Sequence, residues 1–220
     1  MSKKQYTSSE KCFRGLFYSL GIVFLACGII VSSKAGFGTP PVIAPASAVT
    51  AIYGISIGAT SFIEYVLFAV AEYIIKGSRF RKIDLLQLPF SVVFSSLLNM
   101  FSAMLPDVTS LAGRALCLAV GIVLTGIGVA MMISADLVPN PADGLVAAIA
   151  HKAGKSLGLI KNIFDLACAV AGIVLSLLLC GRVVAVGIGT LMSMLFIGRV
   201  VAVFNHLFLG KMKKLMGMDV

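Results

Sequence analysis

The chain has 220 residues, 59% of them hydrophobic and only 12% charged, with no tryptophan and a mean hydropathy of +1.04. That balance excludes an ordinary soluble domain and places the sequence in the membrane class. The net charge of +9 does not mark a nucleic-acid binder, because the lysines and arginines fall between apolar runs and act as topology signals.

Met1–Lys11 is polar and basic, and the apolar run from about Phe13 to Ser33 predicts a first membrane-spanning helix, ending at Lys34 and the turn signals Gly36-Phe37-Gly38. It is read as a retained signal anchor and not a cleaved leader. Thr39-Pro40-Pro41 then opens a segment, Pro41–Tyr53, that can hold only a short helix, with Pro45 inside it. Gly54 to Gly58 predicts a turn, Ala59–Ile75 a second span, and Lys76, Arg79, Arg81 and Lys82 a basic loop. A third span is expected over Ile83–Leu105, kinked at Pro89, with Pro106-Asp107 closing it.

A fourth span is expected at Leu111–Ser134, a fifth at Leu159–Cys180 and a sixth at Val183–Leu209, before a basic tail. Between the fourth and fifth stands Ser134–Gly158, which cannot be a spanning helix. Asn140 is a good N-cap, Pro141 suits the first helical position, and Asp143 complements the free N–H groups and positive end of a helix. The helix it predicts, Pro141–Ala153, is too short for a bilayer that requires about 20 apolar residues, and reads as a re-entrant half-helix.

The same pattern occurs one hundred residues earlier. Gly21-Ile22-Val23 matches Gly121-Ile122-Val123, Gly28 matches Gly128, Ala35 matches Ala135, Pro41 matches Pro141 and Ala48 matches Ala148. Gly54, Ser56 and Gly58 match Gly154, Ser156 and Gly158, with no gap, and these glycines read as hinges between half-helix and span. The expected fold is therefore an all-α polytopic membrane protein of six transmembrane helices plus two re-entrant half-helices. One repeat covers residues 1–106 with half-helix 41–53, and the other residues 107–220 with half-helix 141–153. Three spans per unit make it an inverted-topology internal repeat, a recurring plan of secondary transporters. If the half-helices do not cross, the Lys76–Lys82 loop, Lys152, Lys155 and both terminal basic clusters share one side, so both termini are expected in the cytoplasm.

Carboxylates inside a membrane are candidates for function. Glu64 lies about two turns into the second span and Asp165 equally deep in the fifth, at what read as pseudo-equivalent positions; Lys161 stands one turn before Asp165 as a partner. Asp143, beside Asn140, is either a cap or a ligand for a cation, a proton or Na⁺, while Asp136 reads as loop. Arg199 and Asn99 occupy equivalent places deep in the sixth and third spans, and Arg199 either meets an acid or anionic substrate or snorkels to the interface. Thr39, Asn162 and Thr190 complete the polar candidates, whereas Glu72 with Lys76 and Asp84 with Arg81 read as interfacial pairs and His206 as an interfacial ring. The five cysteines read as small core residues, and no phosphate loop, metal-type spacing or catalytic triad argues for an enzyme, a metal or another cofactor.

With these residues in view the chain resembles the YczE/YyaS/YitT family of bacterial integral membrane proteins. The likeness rests on Gly36-Phe37-Gly38-Thr39-Pro40-Pro41, on Asn140-Pro141-Ala142-Asp143-Gly144, and on Ala185-Val186-Gly187-Ile188-Gly189-Thr190 with Ile197-Gly198. It implies a multi-pass protein of the bacterial inner membrane and lends no substrate. The expected function is alternating-access transport of a small polar or charged metabolite, coupled to protons or Na⁺ through Glu64 or Asp165. A vitamin-binding component of an ATP-driven uptake system and a non-transporting accessory protein are the alternatives. Its expected partners are the lipid bilayer and a small-molecule substrate, with a homodimer left open.

Overall fold

The computed structural model describes residues 6–218, and among them there are helices and no strands. In chain order the α-helices are α1 (Ser8–Lys34), α2 (Ala44–Tyr53), α3 (Ile57–Lys76), α4 (Gln87–Met104), α5 (Leu111–Ala135), α6 (Pro141–Ala153), α7 (Leu157–Cys180) and α8 (Ile188–Leu215). Six of them, all but α2 and α6, are long and apolar enough to cross a membrane. Local chemistry sets most ends. Ser56, Ser110, Asn140 and Ser156 each accept a backbone N–H as N-caps, and Gly54, Gly154 and Gly181 close α2, α6 and α7 in the left-handed conformation.

Several boundaries differ from the expectation; α1 already begins at Ser8, and α8 runs on to Leu215. Lys82–Leu86 is a 3₁₀ segment, so Pro89 falls in the first turn of α4, where a proline is tolerated, and not inside the helix. Pro41–Ile43 is likewise a 3₁₀ turn ahead of α2. The last helix starts at Ile188 and not at Val183, because the backbone before it is taken by a tertiary partner. Thr39 N–H donates to the Ala185 carbonyl at 2.9 Å, Gly189 N–H to that of Phe37 at 2.7 Å, and the Thr190 hydroxyl to that of Thr39 at 2.8 Å. The cysteines are also less uniform than expected: Cys168 is buried, but Cys12 and Cys180 are exposed.

The centre of the bundle is the seam between α1 and α5. A methyl group added to Gly28 would collide with the Thr125 amide and the Gly121 carbonyl, and one added to Gly128 with the Leu25 amide and the Gly21 carbonyl. Glycine thus lets two backbones approach closely, as small residues do between helices in lipid. Early residues of one helix meet late residues of the other, so the pair is antiparallel. The ends are tied reciprocally. Arg14 donates to the carbonyls of Ala135 and Asp136 at the end of α5, and Arg114 to those of Ala35 and Gly36 at the end of α1. Asp136 and Gly36 both adopt positive φ, at 47° and 68°.

The short helices pack across the seam. At 10 and 13 residues they extend about 15 and 20 Å at 1.5 Å per residue, well short of the roughly 30 Å hydrocarbon core. Each folds back on the long helix that follows it; the Thr50 and Thr60 hydroxyls meet at 2.7 Å between α2 and α3. Each also lies along the long helix of the other half: Gly144 sits against Glu72 on α3, and Ala44 against Gly172 on α7. The basic loops gather at one end, where Arg79 reaches His151 at 3.2 Å and Met212 and Met216 pack with Phe13 and Phe17. Lys34 pairs with Asp107 at 2.7 Å at the other end.

Candidate functional site

The tip of α6 carries the densest polar chemistry. Asn140 is buried and caps the helix, its Oδ1 accepting from the Asp143 N–H at 2.9 Å while its Nδ2 donates to the Asp143 carboxylate at 2.5 Å. Asp143 is therefore held by the cap and also faces outward from it. Lys161 on α7 reaches Asp143 at 3.4 Å and Asp165 at 3.1 Å, bridging the two acids from side chains that are 14% (Asp165) to 34% (Lys161) exposed. Two carboxylates on one lysine leave a net negative charge, which can take up a proton or a small cation.

Glu64 lies on the facing side of α3 with 7% of its surface exposed. Its carboxylate points toward the Ala46 N–H near the start of α2, yet neither oxygen makes a hydrogen bond of ordinary geometry. Cys168 is within electrostatic reach of Glu64, Asp165 and Lys161, and Tyr65 of Glu64 and Asp143, so these groups form one neighbourhood. Phe68 and Phe164 meet edge to face there, their centroids 5.2 Å apart. The pseudo-equivalence expected for Glu64 and Asp165 is off by one residue. At an offset of one hundred Glu64 matches Phe164, and one residue turns a helix by about 100°, so the acids approach from differently oriented faces.

A second buried cluster lies along the same tip. Glu72 and Gln87 are 0% and 1% exposed, and a methyl on Gly144 would come within 2.5 Å of the Glu72 Oε2 and 3.0 Å of the Gln87 Nε2. Lys76 joins Glu72 at 2.5 Å and Asp84 at 3.0 Å, with Arg81 at 3.5 Å from Asp84. The pairings match the sequence reading, and Glu72 is in addition enclosed by protein. Both Gln87 side-chain atoms lack a hydrogen-bond partner. An i,i+4 Glu–Lys pair looks the same in sequence on a solvated or an enclosed face; the signal that separates them is Gly144, whose missing side chain admits the carboxylate.

The remaining candidates lie elsewhere. Thr39 borders a cavity of about 210 Å³ at the opposite end from the basic loops, with Ser33, Lys34, Ser47, Thr50 and Ser102 around it. Asn99 accepts the Gly58 N–H at 2.7 Å and so secures the start of α3. Asn162 is exposed on α7, away from the face formed by Ile160, Phe164 and Cys168. Arg199 is exposed on α8 over the ring of Phe196, 5.1 Å from its centroid, and reaches neither Asp143 nor Asp165. The structure thus brings together Glu64, Asp143, Asn140 and Asp165, and leaves Thr39, Asn99, Asn162 and Arg199 apart from them.

Six apolar helices around enclosed carboxylates define a multi-pass all-helical membrane protein. The chain belongs to a family of unknown function, DUF6198, whose model matches residues 12–206. It is 26% identical over 182 residues to an "Uncharacterized protein" of Haemophilus influenzae, covering 83% of this chain and 78% of that one. It is also 26% identical over 158 residues to the "Uncharacterized membrane protein YczE" of Bacillus subtilis, covering 71% and 72%. No solved structure matches significantly.

Proposed function

We propose that the protein is a secondary transporter that moves a small polar or charged metabolite by alternating access, rocking one half against the other. The observation that carries this reading is the meeting of Glu64, Asp143, Asp165 and Lys161 at the tips of two short helices inside an apolar bundle. Charged groups are expensive there unless they serve a ligand or an ion. In this reading α2 and α6 are re-entrant half-helices, and the two halves form an inverted repeat. The reciprocal ties of Arg14 and Arg114, and of Gly144–Glu72 and Ala44–Gly172, support it. Assigning the basic end to the cytoplasm follows the positive-inside rule and puts both termini on that side of the inner membrane.

Glu64 and Asp165 are the coupling groups on this account, and Lys161 is the internal cation that a substrate or ion displaces. The test is a melting screen of purified protein against metabolites, followed by uptake of the stabilising solutes into proteoliposomes. The reading expects uptake that falls at least tenfold in Glu64→Gln and in Asp165→Asn while the proteins remain folded. Uptake at the unmodified rate in both variants would remove these acids from the mechanism. Reconstituted protein that binds a solute without moving it would instead favour a capture component.

A further inference from the structure

At the basic end, a cavity of about 660 Å³ opens between the end of α3, the loop after it and α6. Lys76, Arg79, Arg81, His151 and Lys152 line it, with the small Ala147 and Ala148 of α6 leaving the space. Among the described residues the nearby carboxylates of Glu72 and Asp84 are engaged by Lys76, and Asp84 also by Arg81. Arg79 and Lys152 have no carboxylate partner among the described residues, yet two separate segments bring them into one concavity. A positive-inside bias requires basic loops on this side but not their convergence on a cavity, and like charges in a concave site raise the local anion concentration.

The Arg79–His151 contact sharpens the chemistry. A guanidinium only donates, so at 3.2 Å the His151 Nδ1 accepts and its proton sits on Nε2. The ring therefore offers a further donor beside the guanidinium and the two ammonium groups. Several donors of this kind match an oxyanion with three or more acceptor oxygens.

We propose that this cavity is a phosphate-group site in which Arg79, His151 and Lys152 bind the oxygens. The phosphate comes either from a soluble phosphorylated compound or from an anionic lipid headgroup. The site stands independently of the transport reading.

The experiment uses full-length protein in neutral detergent and follows its melting temperature in two arms. One titrates inorganic phosphate against chloride at equal ionic strength; the other adds phosphatidylglycerol or, as control, phosphatidylcholine to the micelles. The melting temperature rises by several degrees in at least one arm, and the rise shrinks as sodium chloride is added. A rise with inorganic phosphate assigns a soluble ligand, and a rise with phosphatidylglycerol alone assigns the lipid. Arg79→Gln/Lys152→Gln abolishes the rise, whereas Lys211→Gln/Lys213→Gln, which removes equal charge from the tail, keeps it. If the first double variant melts too low to read, Lys152→Glu alone gives the same loss. No rise in either arm, or one that survives in the Arg79/Lys152 variants, overturns the proposal.

Discussion

The tips of α2 and α6 occupy matching places and have been given opposite chemistry. At the α2 tip, Ala44 meets Gly172, and the chain before it, at Phe37 and Thr39, is clasped by the backbone of Ala185 and Gly189. At the α6 tip, Asp143 faces Lys161, and Gly144 makes room for Glu72 where the first half has Ala44 against a glycine. Swapping which partner is small leaves the packing intact and converts an apolar contact into a buried carboxylate site. The ion chemistry gathers at the α6 tip, where Glu72 of α3 and Lys161 of α7 come against it from either side of the chain.

The largest effect is expected from Lys76→Met, which leaves Glu72 and Asp84 without their common cation. Breaking a buried pair in this way costs about 3–5 kcal/mol, read as a large drop in melting temperature. The matching contact at the α2 tip, Ala44 against Gly172, holds no charge and offers no substitution of that kind. Gly28→Ala and Gly128→Ala test the shared part. Each forces a methyl group into backbone atoms of the facing helix, and the two should destabilise similarly, by about 1–3 kcal/mol. A marked inequality would break the reciprocity.

Smaller again is Thr39→Val, which removes the hydroxyl bond to the Ala185 carbonyl at 3.2 Å and should cost about 1 kcal/mol. Asn162→Ala, on an exposed face of α7, should change the melting temperature and any uptake hardly at all. A strong loss of uptake there would move the site away from the α6 tip.

The α6 tip was legible because its signals are local. Asn140, Pro141 and Gly154 state a start and a stop in neighbouring residues, and the helix runs from Pro141 to Ala153 as they dictate. The glycines that match at an offset of one hundred residues face one another across the seam. What sequence hid was set by tertiary partners. Val183–Gly187 is apolar enough to be helix, but Ala185 gives its carbonyl to Thr39. Asn99 and Arg199 share an offset but not a surrounding, since one caps α3 through Gly58 and the other lies exposed over Phe196. The enclosure of Glu72 was hidden as well, because it depends on Gly144, seventy-two residues away.

The central claim is that α2 and α6 enter the membrane from opposite faces without crossing it. It is tested most directly by labelling Ile55→Cys and Lys155→Cys, each in a background lacking the five native cysteines, with a membrane-impermeant thiol reagent. The account predicts that Ile55→Cys reacts in intact cells and Lys155→Cys only after permeabilisation. Reaction of both from the same side would mean that the short helices traverse the bilayer, and would contradict it.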